Sequence, residues 1–125
     1  MSFRDRMHPK QAKMEINVAI DLQHLGYNIS MSEHYKLKLP PNPFIQHEET
    51  ETWPDIELLD HNFLIYIDGE EVHKKRKEKD KFLRRLLVKQ YHGKRVLPCE
   101  YKRYSEKRRR EIVQEIVEDA PIAVS

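Results

Sequence analysis

At 125 residues the chain is long enough for one hydrophobic core and too short for two domains, and its 38% apolar and 35% charged residues recur periodically, unlike those of a disordered chain. No run approaches the roughly 18 apolar residues of a membrane span. The net charge of +2 conceals a segregation: from 45 to 73 there is no Lys or Arg but nine acids, whereas from Lys74 onward the chain turns basic. An acidic centre followed by basic segments suits a cation bound beside a polyanion, although two solvated helix faces would give the same pattern.

A lone cysteine, Cys99, excludes an internal disulfide and the paired cysteines of a structural zinc site; an inert, partly buried thiol is expected. The N-terminal MSFRDRMHPK has no apolar signal-peptide core, so the expectation is a cytoplasmic protein, complete from Met1.

In chain order, a first helix is expected from about Pro9 to Leu25, with Ala12, Ile16, Ala19, Leu22 and Leu25 on its apolar stripe, Gly26 as its stop and Glu15 within it. Residues 27–29 and 34–39 read as a strand region, and the acidic, proline-rich stretch from Pro40 to Trp53 as a loop. WPDIELLDHNFLIYIDGEEVH, from Trp53 to His73, reads as a β-hairpin whose second strand, FLIYI, is apolar on both faces and therefore central. With the turn at His61-Asn62, residue 60 faces 63 and Asp55 falls opposite Asp68.

A second helix should run from after Gly69 to about His92, with Phe82, Leu83, Leu86, Leu87 and Tyr91 on one face and Gly93 as stop. RVLPC at 95–99 then makes a strand reached by a parallel crossover, and Ser105 caps a last helix through about Glu118. Residues 119–125 read as a frayed tail. The expected order, α-β-β-β-α-β-α, fills one domain over 1–125.

The acids at the hairpin's open end carry the chemistry. Magnesium takes oxygen ligands and only one or two protein carboxylates, so Asp55 with Asp68 could hold it; the same two residues would also serve as solvated strand-end acids. His73, one short step beyond, suits a general base near its ordinary pKa of about 6.5, or a helix-start contact. Trp53 suits stacking on a base, or capping of the hairpin core. Lys74, Lys75, Arg76, Lys77, Arg108, Arg109 and Arg110 are candidate phosphate contacts, giving affinity without sequence choice.

Taken together, Pro54-Asp55 opening one strand, Ile67-Asp68-Gly69 closing the next, His73 ending IDGEEVH, Asp80 and Arg84 on the following helix and the HGKRVL return strand resemble the PD-(D/E)XK nuclease superfamily. Within it the spacing is most similar to the very-short-patch-repair (Vsr)-like endonucleases and their homing-endonuclease relatives, over roughly residues 12 to 98. The resemblance implies a restriction-endonuclease-like fold, a mixed central sheet flanked by helices, and a magnesium-dependent endonuclease, with manganese as an alternative ion, hydrolysing DNA. It implies that Asp55 and the Ile67 carbonyl are metal ligands with Asp68 beside them, that His73 is the catalytic histidine, and that Glu15 and Asp80 fill outer acidic positions. Arg84 would join the DNA-contacting residues, and a homodimer is the form that would cut both strands.

The sequence departs from the superfamily pattern in placing Tyr66 where the second acid usually stands and Asp68 where the lysine usually stands; Vsr-like members also lack that lysine. The alternative expectation is therefore a catalytically inactive nuclease-fold subunit that binds DNA or serves in assembly. A third is an unrelated α/β interaction domain whose basic helices bind an acidic protein.

Overall fold

The computed structural model describes residues 9–39 and 49–122, leaving aside the side chains of residues 9–12 and 70–76. Among the described residues the elements are α1 (Pro9–His24), β1 (Ile29–Ser30), β2 (Tyr35–Lys38), β3 (Glu49–Thr52), β4 (Ile56–Leu58), β5 (Phe63–Gly69), α2 (Glu70–Gln90), β6 (Arg95–Tyr101) and α3 (Glu106–Asp119). They form a mixed α/β structure: a four-stranded sheet in the order β1-β4-β5-β6 and a separate β2–β3 ribbon. The β5–β6 pair is parallel, as the intervening helix requires, and the other pairs are antiparallel.

The helix ends follow their local chemistry. Gly26 takes φ 102° after α1, and the N–H groups of Gly26 and Tyr27 each reach back 3.0 Å to the carbonyls of Gln23 and Leu22, the closure that a left-handed residue permits. Ser105 caps α3, its hydroxyl accepting from the Arg108 N–H at 3.0 Å. The buried stripe of α1 is Met14, Glu15, Val18, Ala19 and Leu22, rotated from the expected one: Ile16 is half-buried and Leu25 is exposed.

Two other expectations are corrected. The strand region divides, β1 joining the main sheet while β2 leaves it to pair with β3, a strand formed by Glu49–Thr52 inside the expected loop; residues 40–48 of that loop lie outside the described residues. The hairpin turn is also wider than two residues. Leu58 pairs with Phe63 and Ile56 with Ile65, so Leu59–Asn62 form a four-residue loop with Asn62 at φ 51°, and Asp55 stands level with Tyr66, not Asp68.

The sheet lies between two layers. On one face α1 and α3 bury Met14, Val18, Leu22, Ile112 and Ile116 against Ile56, Leu58, Phe63, Ile65 and Ile67. Arg109 on α3 grips Asp21 on α1 through two 2.6 Å bonds, and the Tyr27 hydroxyl donates to the Ala120 carbonyl at 2.5 Å. The expected tail is thus held at Ala120, which is fully buried, and His61 bonds the Pro121 carbonyl at 3.2 Å; residues 123–125 lie outside the described residues.

On the other face Leu83 and Leu87 of α2 and Leu37 of the ribbon cover Leu64 and Tyr66. This two-sided burial is why β5 reads as a continuous apolar run. Cys99 is buried on β6, and burial pushes its thiol up to about 12, which makes it inert as expected. Among the described residues no helix is long and apolar enough to cross a membrane.

Leu87 is fully buried against β5 and Leu86 only half-buried. Leu87→Ala should therefore cost about 2–4 kcal/mol in denaturant unfolding, with Leu86→Ala clearly below that; equal values for the two would contradict this packing of α2.

Candidate functional site

Asp55 directly precedes β4, at the point where its ladder would otherwise fail. Pro54 before it has no N–H to donate, and backbone pairing with β5 is taken up at the Asp55 N–H, which donates to the Ile65 carbonyl at 2.9 Å. The next free donor on β5, the Ile67 N–H, is satisfied by the Asp55 carboxylate at 2.6 Å. The side chain thereby replaces the backbone of a continuing strand, and its place at the sheet end is fixed by two bonds to β5.

Glu15 comes to this carboxylate from the other direction. It occupies the same helical stripe as Val18, Ala19 and Leu22, so the packing of α1 on the sheet carries it inward to 3% exposure. There its carboxyl comes close enough to that of Asp55 for the two charges to oppose each other, while among the described residues its Oε2 has no hydrogen-bond partner. Both acids are held well above the ordinary carboxylate range, first by burial, with Asp68 adding its charge against each; the Ile67 N–H pulls Asp55 partway back. Two carboxyls so placed do not both ionise readily, because each raises the cost of charge on the other.

The third acid, Asp68, lies near the end of β5 on the face of Tyr66 and is countered by a cation from α2. Arg84 donates to both Asp68 oxygens, at 2.9 and 2.7 Å, and its guanidinium lies 4.4 Å from the centre of the Tyr66 ring. The Tyr66 hydroxyl is bonded to Thr52 at 2.7 Å. Arg84 is 9% exposed, and its Nε, like Glu15 Oε2, is buried without a partner. Tyr101, level with Gly69 across the β5–β6 pair, borders the cluster; burial pushes its phenol up to about 12, with the charges of Glu15, Asp55 and Asp68 adding to the effect.

The structure thus brings together Glu15 of α1, Asp55 before β4, Asp68 of β5 and Arg84 of α2. His73 lies on the first turn of α2, which starts directly after β5, but its side chain, like those of Lys74, Lys75 and Arg76, lies outside the described residues. Asp80 is half-buried one turn before Arg84 on α2, and Lys77 is exposed there. Trp53 is 40% exposed and stacks on the His34 ring at 4.5 Å, so it does not cap the hairpin core. Of the α3 arginines, Arg109 is taken up by Asp21 and Arg108 bonds the Glu100 carbonyl at 2.9 Å and Glu115 at 3.2 Å, while Arg110 is exposed.

Among the described residues no three His, Cys, Asp or Glu side chains converge as a metal-holding group. What the arrangement offers is a pair of carboxyls, Glu15 and Asp55, with one buried acceptor oxygen unspent. Sequence reading overlooked Tyr101 and Thr52, and Tyr66 as the platform under Arg84. The usable signal was a charge on an apolar stripe: Glu15 among Val18, Ala19 and Leu22, and Arg84 among Leu83 and Leu87.

Acids whose folded pKa is raised keep a proton on folding that the unfolded chain gives up above about pH 4, so the pair destabilises the fold progressively as pH rises from there through neutrality. Glu15→Gln keeps the shape without the titration. Thermal unfolding should show the variant more stable than the parent by about 1 kcal/mol or more at pH 8, the gap closing towards pH 4. A variant that is less stable at pH 8 would mean that the two carboxyls are not opposed.

Comparison with known proteins gives no match: no family model, no curated protein and no solved structure resembles the chain at a significant level.

Proposed function

We propose that the chain is a magnesium-dependent endonuclease of restriction-endonuclease-like fold that hydrolyses DNA. The observation that carries this reading is the buried Glu15–Asp55 carboxyl pair with its unpartnered oxygen, at the end of a sheet in a chain whose later segments are basic. Burying two acids against each other without a cation is costly, and a retained cluster of this kind is a recurring mark of a working site. The donor set suits a small hard cation: two carboxylates and the nearby Ile67 carbonyl are all oxygen. Bound there, magnesium would supply charge stabilisation at the phosphate and a more acidic water.

The chain's own residues divide the remaining work. Asp55, immobilised by its bond from Ile67, sets the position of the site. Glu15 would be the second carboxylate holding the ion, in its ionised form. Arg84 is already committed to Asp68 and orders the strand end, while its stacked guanidinium keeps positive potential beside three acids. His73, on the first turn of α2, accepts the proton of the attacking water, and the exposed Trp53 offers a stacking surface next to Asp55.

One observation favours a second reading. Asp68 is held by Arg84 and Tyr66 stands in the usual place of the second acid with its hydroxyl tied to Thr52, so a subunit that binds DNA without cutting it would keep this same network.

Cleavage of duplex, mismatched, branched and single-stranded DNA, with and without magnesium, tests both. Magnesium-dependent cleavage is expected, reduced by several orders of magnitude in Asp55→Asn and by about a hundredfold to ten-thousandfold in His73→Ala, with magnesium affinity unchanged in the histidine variant. DNA binding without cleavage on any substrate would select the second reading, and neither binding nor cleavage would remove both.

A further inference from the structure

The acid pair accounts for one phosphate of a bound strand and repels its neighbours. A second feature answers that repulsion. Between the end of β6 and the first turn of α3 lies a cavity of about 430 Å³ lined by Glu100, Tyr101, Lys102, Arg103 and Arg108. Its wall is shared with the acid cluster, because Tyr101 feels the charges of Glu15, Asp55 and Asp68, and Glu100 stands level with Asp68 across the β5–β6 pair.

Three of the five lining residues are cations, and they are not equivalent. Arg108 is fixed: it bonds the Glu100 carbonyl at 2.9 Å and shares its charge with Glu115 and Glu111 at 3.2 and 3.7 Å. Lys102 and Arg103, on the turn after β6, are exposed and make no ion pair among the described residues. Among the described residues the cations of the lining thus outnumber its single carboxylate, Glu100. The cavity's position at the carboxyl ends of two parallel strands is where ligands of α/β sheets characteristically sit.

We propose that this cavity holds the phosphate of the nucleic-acid strand that neighbours the one at the Glu15–Asp55 pair, with Lys102 and Arg103 as its adaptable cations and Arg108 as a fixed wall. The inference rests on the nuclease reading and adds to it the direction in which the strand leaves the site. A phosphodiester fits because acids and cations lie side by side, so that one strand is pinned on both sides of the reacting bond; a lone carboxylate ligand would use the cations and leave the acid pair unemployed.

The test is fluorescence anisotropy of a labelled duplex of about 20 base pairs binding the full chain without divalent ions, over about 50–200 mM salt. Lys102→Gln/Arg103→Gln should weaken binding about tenfold at the low-salt end and make the log–log salt slope shallower by about one to two. Lys36→Gln/Lys38→Gln, also exposed but on β2, is the control and should change the slope little; circular dichroism confirms that both variants fold. Binding by the parent with no change in the Lys102/Arg103 variant, or an equal loss in the control, overturns this inference and leaves the nuclease reading standing. Failure of the parent to bind DNA at all overturns both. NMR titration separates the sources of the anion: duplex should shift the Lys102 and Arg103 amides, and shifts with inorganic phosphate alone would place a free phosphate there instead of a strand.

Discussion

Where β4 gives way to Pro54, the sheet loses a partner for the next N–H on β5, and the Asp55 carboxylate supplies it at 2.6 Å. Much of the site's geometry depends on that substitution of side chain for backbone. It ends the β4–β5 ladder without an unsatisfied donor, fixes a carboxylate at the sheet's end, and leaves that carboxylate facing the inward stripe of α1, where Glu15 waits. A strand that simply continued would pair the same N–H with a carbonyl and bring no acid to this place.

Two buried acids, one on β4 and one on α1, differ in how they are answered. Glu57 on β4 is as buried as Glu15, at 4% against 3% exposure. Glu57 is fully answered: Tyr35 donates its hydroxyl, and Lys94 donates at 3.1 Å while also reaching Asn62. That network joins ribbon, hairpin and the turn before β6, and nothing in it is left over. Among the described residues Glu15 has another acid for its neighbour and an oxygen without a partner, and the cation described in its cluster, Arg84, bonds Asp68. Burial alone marks neither residue; the balance of partners distinguishes them, because an unmatched buried acid destabilises the fold.

Much of the fold was legible in the sequence, and what was hidden was hidden for definite reasons. The central apolar strand, the two later helices with the Gly93 and Ser105 signals, and the parallel return strand all follow from periodicity and caps, since these elements bury faces that the pattern records. The ribbon strand Glu49–Thr52 has no such record: its residues are exposed or half-covered except Thr52, and its pairing with Tyr35–Lys38 rests on backbone bonds that any polar sequence can make. The stripe of α1 was misread for the opposite reason. Its true face includes a charged residue, and a search for apolar spacing passes over Glu15 in favour of Ile16 and Leu25.

The hairpin shows why an error in register need not displace a site. The four-residue loop moves Asp55 from a place level with Asp68 to one level with Tyr66, a shift of two residues along β5. Side chains alternate with period two, so an even shift keeps every residue on its face, whereas a single-residue slip of β4 against β5 would turn Glu57 towards the residues of α1 and α3. Tyr66 and Asp68 therefore keep their shared face, while Asp55, just outside the β4 ladder, turns its carboxylate to the Ile67 N–H and to Glu15. Separated along the strand, Asp55 and Asp68 do not close on one another as a pair; Tyr66 takes the place level with Asp55 and carries Arg84 on its ring, Asp68 finds its partner in that arginine, and Asp55 is left to the glutamate from α1. The width of one turn thus decides which two carboxyls face each other.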